Sequence, residues 1–372
     1  MHYLSFLAIS TMFGGRPAFE AVVPVRVLHR LFRPDDEDLP PNLRAQRQLD
    51  EGRIPAIVTY LLTNPTTRIL SGFLAVIDGE HGFDPVSDDP LQQHIGTLRI
   101  SMDATLALLD GQHRLAALIA AVKEDGPEAK ALKQEQVSIR FEIDPNLKLA
   151  QQWFRDINFE TRRPPSSLGV LYDHRSGLAG VARAVAECPW RLRGRIELER
   201  ATPARSSSKL FGLASLAKAC GVLLSVRPKG TTTQEQAETA VGYWQAVGAH
   251  MGPWSPSSVA AGFKQDLLSE TIAAANVTLL ALAYLGRALI ADEPDAVKRK
   301  ARLKALEDVD WSRGNPAWTG RCLIDGKLKA STAAAKLTAS HLKTVLGLPL
   351  SPEDVALEAE RKRLLAGAGG AA

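Results

Sequence analysis

The residues best suited to chemistry lie in one short stretch of this sequence, between two apolar runs. A carboxylate, an amide, an imidazole and a guanidinium follow one another around a single glycine, in the order Asp110, Gly111, Gln112, His113 and Arg114. The apolar run before them is typical of a strand end, and the run after them favours a helix. The pattern therefore predicts a strand-turn-helix unit with polar groups at its corner.

Such a turn can bind a phosphate group. Gly111 can adopt backbone angles closed to other residues, and the first amides of a helix have no partner within it, so they can bind an anion. Arg114 falls in that first turn, where a guanidinium can hold phosphate with two hydrogen bonds. We assign phosphate or nucleotide binding to Gly111, Gln112 and Arg114. Asp110 is placed to hold Mg²⁺ or to orient a water.

Structural alternatives stand beside this assignment. The turn can be an ordinary strand-to-helix corner in which Asp110 caps the helix. His113 can transfer protons or simply pack the turn, and packing is the role we favour. If the turn instead hydrolyses a nucleotide, Asp110 and His113 are the catalytic candidates.

The pentapeptide resembles the signature of the DGQHR-domain proteins, and the resemblance covers about residues 40–180. Further stretches occur in the order that the family shows, at residues 46–54, 60–65, 96–100 and 154–158, followed by Arg162 and Arg163. The best-known branch is DndB, from bacterial DNA phosphorothioation (sulfur modification) gene clusters, and the chain length suits it. The resemblance implies a repressor that binds DNA in front of the modification operon. More remotely, the signature is similar to the Gly-x-x-Arg box of the ParB/sulfiredoxin superfamily, in which the turn binds nucleotide phosphates.

Asn158 is a further candidate, at the end of a helix predicted over residues 149–158. Related nucleotide-binding folds place an Asn in this way, which implies that Asn158 lies beside Arg114 and helps to hold phosphate or metal. Asn is also a favoured helix terminator, so a purely structural role is the alternative.

Basic residues concentrate in the middle of the chain although the net charge is small. The 372 residues carry 45 Lys and Arg against 41 Asp and Glu, a formal charge of +4. Residues 140–229 hold 16 basic and 8 acidic residues, a local charge of +8 that fits an electrostatic footprint for DNA. Solvated basic faces are the competing interpretation. The expected DNA contacts are Arg162, Arg163, Arg191, Arg193 and Arg195.

The composition indicates a globular protein of two domains. It is 45% hydrophobic and 23% charged, which is ordinary for such proteins, and 372 residues exceed what one core usually serves. Three widely spaced cysteines give no zinc spacing or disulfide framework. No apolar run is long enough to predict a membrane span, so we expect a cytoplasmic protein. No P-loop sequence supports an ATPase of that class.

Strands alternating with helices predict an α/β domain at residues 1–145, for which the resemblance implies a ParB/sulfiredoxin-like fold. Strands are predicted at residues 19–28, 69–77, 98–102, 105–109 and 137–143, with helices within 42–63 and at 115–122. Residues 78–94, rich in Gly, Pro and Asp, predict a surface loop. Residues 146–372 are expected to form a mainly α-helical domain with a basic central segment.

Three classes of function follow from these observations. The first is a DNA-binding repressor of a DNA phosphorothioate modification operon, modulated by a nucleotide bound at residues 110–114, the signature turn. The second is a nucleotide hydrolase of the same system, a weak NTPase with Mg²⁺. The third is a non-enzymatic interaction subunit in which the turn is structural. Nucleotide with Mg²⁺ is the one cofactor expected, and the expected partners are DNA, other DNA sulfur modification proteins and further copies of this chain.

Overall fold

The structure, a computed structural model, divides the chain into two compact units, Met1–Arg162 and Arg163–Ala372. It describes residues 2–32, 50–90, 92–147, 149–159, 164–204, 206–228, 230–255 and 263–369. Each unit has a hydrophobic core of its own.

A seven-stranded mixed sheet forms the centre of the first unit. Its strands are β1 (Tyr3–Phe13), β2 (Arg16–Pro24), β3 (Phe73–Asp78), β4 (His81–Pro85), β5 (Ile95–Ser101), β6 (Thr105–Asp110) and β7 (Gln136–Ile143). They lie in the order β4-β5-β1-β2-β7-β3-β6. β3 and β7 pair in parallel, and the other neighbouring strands pair antiparallel. Among the described residues β6 is therefore an edge strand that pairs with β3, and the turn at residues 110–114 starts from this edge.

Helices cover both faces of this sheet to different extents. They are α1 (Leu28–Leu31), α2 (Ile54–Thr63), α3 (Gln112–Ala121), α4 (Pro127–Leu132) and α5 (Ala150–Phe159). Residues of α1 to α4 pack on one face of the sheet, in a core cluster that includes Ile77 of β3 and Phe141 of β7. Because successive strand residues point to opposite faces, Val76 and Leu109 face the other side, where they pack with Trp153 of α5.

The packing of α5 explains where the first unit ends. The carboxylate of Asp144 accepts hydrogen bonds from the backbone amides of Leu149 and Ala150, at 2.7 and 2.9 Å, and so fixes the start of this helix. The sequence-based boundary after residue 145 would assign α5 to the second domain. The observed division, after Arg162, keeps the helix with the sheet that it covers.

Several segments of the first unit differ from the expectations drawn from the sequence, and the strand expected at residues 69–77 begins only at Phe73, as β3. Residues 3–13 form β1, and the strand expected at residues 19–28 is β2, which ends at Pro24 and gives way to a 3₁₀ helix, Val25–Val27. The expected loop at residues 78–94 contains β4, an edge strand with few apolar residues. Phe83 of β4 packs against Phe19, with ring centroids 5.5 Å apart, so burial of one aromatic ring holds this edge in place.

The second unit is built around long helices. They are α6 (Ser166–Tyr172), α7 (Gly177–Glu187), α8 (Leu213–Leu224), α9 (Gln234–His250), α10 (Phe263–Glu270), α11 (Asn276–Asp292), α12 (Ala296–Leu303), α13 (Thr332–Val345) and α14 (Pro352–Gly369). Two small sheets accompany them, β8 (Ile196–Glu197) with β9 (Phe211–Gly212), and β10 (Leu323–Ile324) with β11 (Lys327–Leu328).

The apolar helix α11 lies at the centre of this unit, packed against α8 and α13. Gly286 allows the close approach, since a Cβ there would lie 2.4 Å from Cζ of Tyr243 and 2.5 Å from Cδ1 of Leu223. Despite this apolar character, none of the helices in the described part of the chain has the length and hydropathy that crossing a membrane requires.

A buried ion pair fastens α14 to α13. Nζ of Lys343 lies 2.6 Å from Oδ2 of Asp354, and both side chains are almost fully buried. The amide and the hydroxyl of Ser351 donate to the same oxygen, at 2.9 and 2.7 Å. Burial alone would raise the pKa of Asp354, but the hydrogen bonds from Lys343 and Ser351 outweigh it and hold the pKa below its ordinary value.

We expect Asp354→Asn to lower the free energy of unfolding by about 3 kcal/mol, because it leaves the Lys343 ammonium buried without a counter-charge. The Asp354 carboxylate stabilises the wild type above its unfolded-state pKa of about 4, and this contribution is lost as the pH falls through the lower folded-state pKa. Urea denaturation between pH 7 and pH 3 measures both effects, and the variant should show the weaker acid dependence.

The double variant Lys343→Met/Asp354→Leu is the control, since it removes both charges and should recover much of the loss. A single variant within about 0.5 kcal/mol of wild type would contradict this account of the pair.

Candidate functional site

The signature turn has a strand, a corner and a helix in the order that the sequence predicts. β6 ends at Asp110 and α3 begins at Gln112, so Gly111 forms the corner by itself. Its backbone has φ +106° and ψ 12°, in the left-handed region. A Cβ at this position would lie 2.5 Å from Cδ1 of Phe73 on the neighbouring strand. The turn therefore requires glycine for its backbone angle and for the close approach of β3.

The Arg114 guanidinium is bound within the first unit. Its Nη2 donates to Oδ2 of Asp110 at 2.7 Å. Its Nη1 donates to the carbonyls of Ser71 and Gly72, at 2.6 and 3.1 Å, and to the Ser71 hydroxyl. The guanidinium carbon also lies 5.3 Å from the centroid of the Phe73 ring. Arg114 thus ties the first turn of α3 to the end of β6 and to the start of β3.

The start of α3 has no side-chain cap among the described residues. Gly111 occupies the N-cap position. Asp110 does not cap the helix, contrary to the structural alternative, because its carboxylate pairs with Arg114 one turn further on. A helix start without a side-chain acceptor keeps amides available to an anion.

Gln112 and His113 also have partners inside the unit. Nε2 of Gln112 donates to the carbonyls of Leu108 and Leu109, at 3.3 and 3.1 Å, and so folds back over β6. Nε2 of His113 accepts a hydrogen bond from the backbone amide of Asp50 at 3.0 Å, which requires an imidazole without a proton on this nitrogen. This contact joins α3 to the start of the 3₁₀ helix Glu51–Arg53, and both the packing role and the proton-transfer role of His113 stay predictions.

The residues that support the turn include several that sequence reasoning missed. Asp50 caps the 3₁₀ helix Glu51–Arg53 by accepting from the amide of Gly52 at 3.2 Å, and it belongs to the stretch 46–54 that carries part of the family resemblance. Ser71 and Gly72 act mainly through backbone carbonyls. Because any residue type supplies a carbonyl, no sequence signal marks them.

Several of the expected ligands lie outside the part of the chain that can be described. Asn158 falls in the last turn of α5, but its side chain is outside the described residues, as are Arg162 and Arg163. Within the described ranges, no group of three His, Cys, Asp or Glu side chains could hold a metal ion. Magnesium at Asp110 and phosphate contact from Asn158 therefore stay predictions.

The three remaining arginines expected to bind DNA follow α7, but their environments differ. Nη1 of Arg191 donates to the carbonyl of Met251 at 2.9 Å, and Nη1 of Arg195 to that of Trp254 at 3.5 Å. Burial lowers the pKa of Arg195. Arg193 is exposed. Arg191 and Arg195 thus bind backbone carbonyls of the segment that follows α9, whereas Arg193 makes no such contact among the described residues. DNA contact by these three arginines stays a prediction.

We expect Gly111→Ala to lower the free energy of unfolding by about 1–3 kcal/mol, because alanine is strained at this backbone angle and meets the Phe73 ring. Urea denaturation of the full chain measures the loss. Gly242→Ala is the matched control, since Gly242 lies in α9 and a Cβ there meets no atom within 4 Å. The control should be neutral or more stable by up to about 1 kcal/mol. Equal effects of the two substitutions would show that the corner does not need glycine.

Comparison with known proteins gives one family. A family model described as DndB, DNA-sulfur modification-associated, matches residues 6–349. No curated protein matches the chain, and no solved structure does. The family match takes in both compact units and includes the turn at residues 110–114. The chain belongs to the DndB family of DNA-sulfur modification-associated proteins.

Proposed function

We propose that this protein is a DNA-binding repressor of a DNA phosphorothioate modification operon, and that a nucleotide bound at residues 110–114 modulates it. Membership of a family associated with DNA sulfur modification carries the proposal. The local charge of +8 over residues 140–229 supports contact with DNA.

The geometry of the turn supports a phosphate ligand and suggests how it would bind. The N-terminus of α3 has no side-chain cap among the described residues, and Gly111, although buried, adopts the left-handed backbone conformation that turns the chain into the helix. The acidic partner of Arg114 is Asp110, whose side chain is 42% exposed. A phosphate that replaces this carboxylate on Arg114 would keep the guanidinium paired. It would also release Asp110 to orient a water or Mg²⁺, which is the arrangement that a weak NTPase needs.

One observation favours the second candidate, an interaction subunit of the sulfur modification system. Asp110, Gln112, His113 and Arg114 all have hydrogen-bond partners within the first unit. A turn with this many internal bonds can exist to hold β3, β6 and α3 together, without any ligand. Measurements of DNA binding and of nucleotide binding separate this candidate from the repressor.

The DNA test is a gel-shift against the DNA upstream of the modification operon, over a range of salt concentrations. The variant Arg162→Ala/Arg163→Ala/Arg193→Ala should bind specific and nonspecific DNA more weakly. The slope of log affinity against log salt should flatten by about one for each phosphate that the variant no longer neutralises. Lys362→Ala, which changes an exposed cation on α14 outside the basic middle, should leave the slope unchanged. An unchanged slope in the triple variant would remove these arginines from the interface.

The nucleotide test compares Arg114→Ala with Asp110→Asn by equilibrium binding of ATP, GTP and CTP, with and without Mg²⁺. Arg114→Ala should reduce nucleotide affinity by about 1.5–3 kcal/mol, the scale of a charge-assisted hydrogen bond. Its Tm should also fall, because alanine cannot replace the hydrogen bonds that Arg114 donates to Asp110, Ser71 and Gly72.

Asp110→Asn should keep or improve nucleotide affinity, since it removes the carboxylate that competes for Arg114, but it should reduce any hydrolysis. The interaction-subunit candidate makes the opposite forecast. If wild type binds none of the three nucleotides and both variants only lower Tm, the turn is scaffolding.

A further inference from the structure

We propose that the second unit binds a small organic anion, an apolar body that carries a phosphate or carboxylate group, in a cavity of about 750 Å³. This site is separate from the turn at residues 110–114 and does not depend on the function proposed for that turn. The cavity lies among α6, α7, α8 and α11, and its volume falls in the range typical of small-molecule sites. Most of its lining is apolar, with small side chains at Gly169, Val170, Ala179, Ala214, Ala217 and Val222.

Hydrogen bonds fix the walls of the cavity. Nη1 of Arg183 donates to the carbonyls of Val170, Leu171 and Asp173, at 2.9, 3.2 and 2.8 Å, and so secures the end of α6. Ser176 caps α7 by accepting from the amide of Ala179 at 3.3 Å. The site therefore exists without a ligand, and a ligand does not have to order it.

The far wall is a turn folded back over the end of α8. The amide of Val226 donates to the carbonyl of Gly221 at 2.9 Å, and Ser225 adopts the left-handed conformation with φ 56°. A Cβ at Gly221 would lie 3.0 Å from the carbonyl oxygen of Val226. This close approach brings Arg227, the next residue, to the cavity.

Three cations line the cavity, and they have no acidic partners among the described residues. Lys218, Arg227 and Arg287 are exposed at the lining, and within the described ranges none of them forms an ion pair. The guanidinium carbon of Arg287 lies 5.1 Å from the Tyr284 ring centroid, a cation–π contact that leaves the net positive charge in place. The acidic lining residue is Asp173, whose carboxylate already accepts from the amides of Arg175 and Ser176, at 3.0 and 2.9 Å.

An apolar pocket with unpaired cations at its lining selects its ligand by two features. An apolar or aromatic body gains from burial against the small side chains, and an anionic group gains from Lys218, Arg227 and Arg287. A neutral apolar molecule gains nothing from the cations. Inorganic phosphate gains nothing from the apolar lining, so only a molecule with both features should bind well.

The test is calorimetric titration of the full chain with matched probes. 1-Naphthyl phosphate and 1-naphthoate carry the same aromatic body with a phosphate or a carboxylate, 1-naphthol is the neutral counterpart, and inorganic phosphate lacks the body. We expect at least one of the two anions to bind about tenfold or more tightly than either 1-naphthol or inorganic phosphate. Binding of the phosphate alone identifies a phosphate ester as the ligand class, and binding of both identifies organic anions in general. Equal binding of 1-naphthol, or no binding of either anion, would overturn the proposal.

Two variants test whether the probe binds in this cavity. Gly169→Leu should abolish binding without lowering Tm, because a Cβ at Gly169 meets no atom within 4 Å and the added side chain would occupy the cavity. Lys218→Ala should weaken binding of the anion by about tenfold or more. Lys298→Ala, which removes an exposed cation of α12 away from the cavity, is the matched control and should bind as wild type does. Unchanged affinity in Gly169→Leu would show that the probe binds elsewhere and would sink the proposal.

Discussion

One guanidinium fixes the junction of three chain segments in the first unit. Arg114 lies in the first turn of α3, pairs with Asp110 at the end of β6, and donates to the carbonyls that lead into β3. Its side chain is 18% exposed, whereas its acceptors at Ser71, Gly72 and Asp110 lie nearer the surface. They add to the backbone pairing of β3 with β6 at the point where Phe73 lies against Gly111. The pairing of Asp110 with Arg114 is therefore also a structural contact within this unit.

The same arrangement lets one set of residues serve both as scaffold and as the proposed ligand site. Arg114 carries donors on one rigid plane, and its acidic partner Asp110 has a side chain that is 42% exposed. A phosphate could exchange with this carboxylate while Nη1 keeps its bonds to Ser71 and Gly72. Binding would then alter the charge of the corner without dismantling it, and Asp110 would be the group that moves.

The sequence predicts those parts of the fold that depend on apolar periodicity, and it fails where structure depends on backbone atoms or context. Strands β6 and β7 lie within one residue of the predicted ranges, because each is a short apolar or alternating run bounded by polar turns. β4 escaped prediction because an edge strand needs few apolar residues. No residue pattern in the sequence marks the Ser71 and Gly72 carbonyls as acceptors for Arg114. Helix α5 belongs to the first unit because Trp153 packs against the sheet, and no local sequence pattern predicts that contact.

The number of basic residues in the sequence overstates how many arginine side chains are available for the proposed contact with DNA. Arg191 and Arg195 add to the local charge of +8, yet each donates to a carbonyl of the segment that follows α9. Arg183 likewise fastens three carbonyls at the end of α6. Arginine can fasten carbonyls in this way because its long apolar stem packs inside while the planar head reaches several acceptors. The basic surface available for the proposed contact with DNA is therefore smaller than the charge of the stretch suggests, and exposed residues such as Arg193 contribute more to it than Arg191 or Arg195.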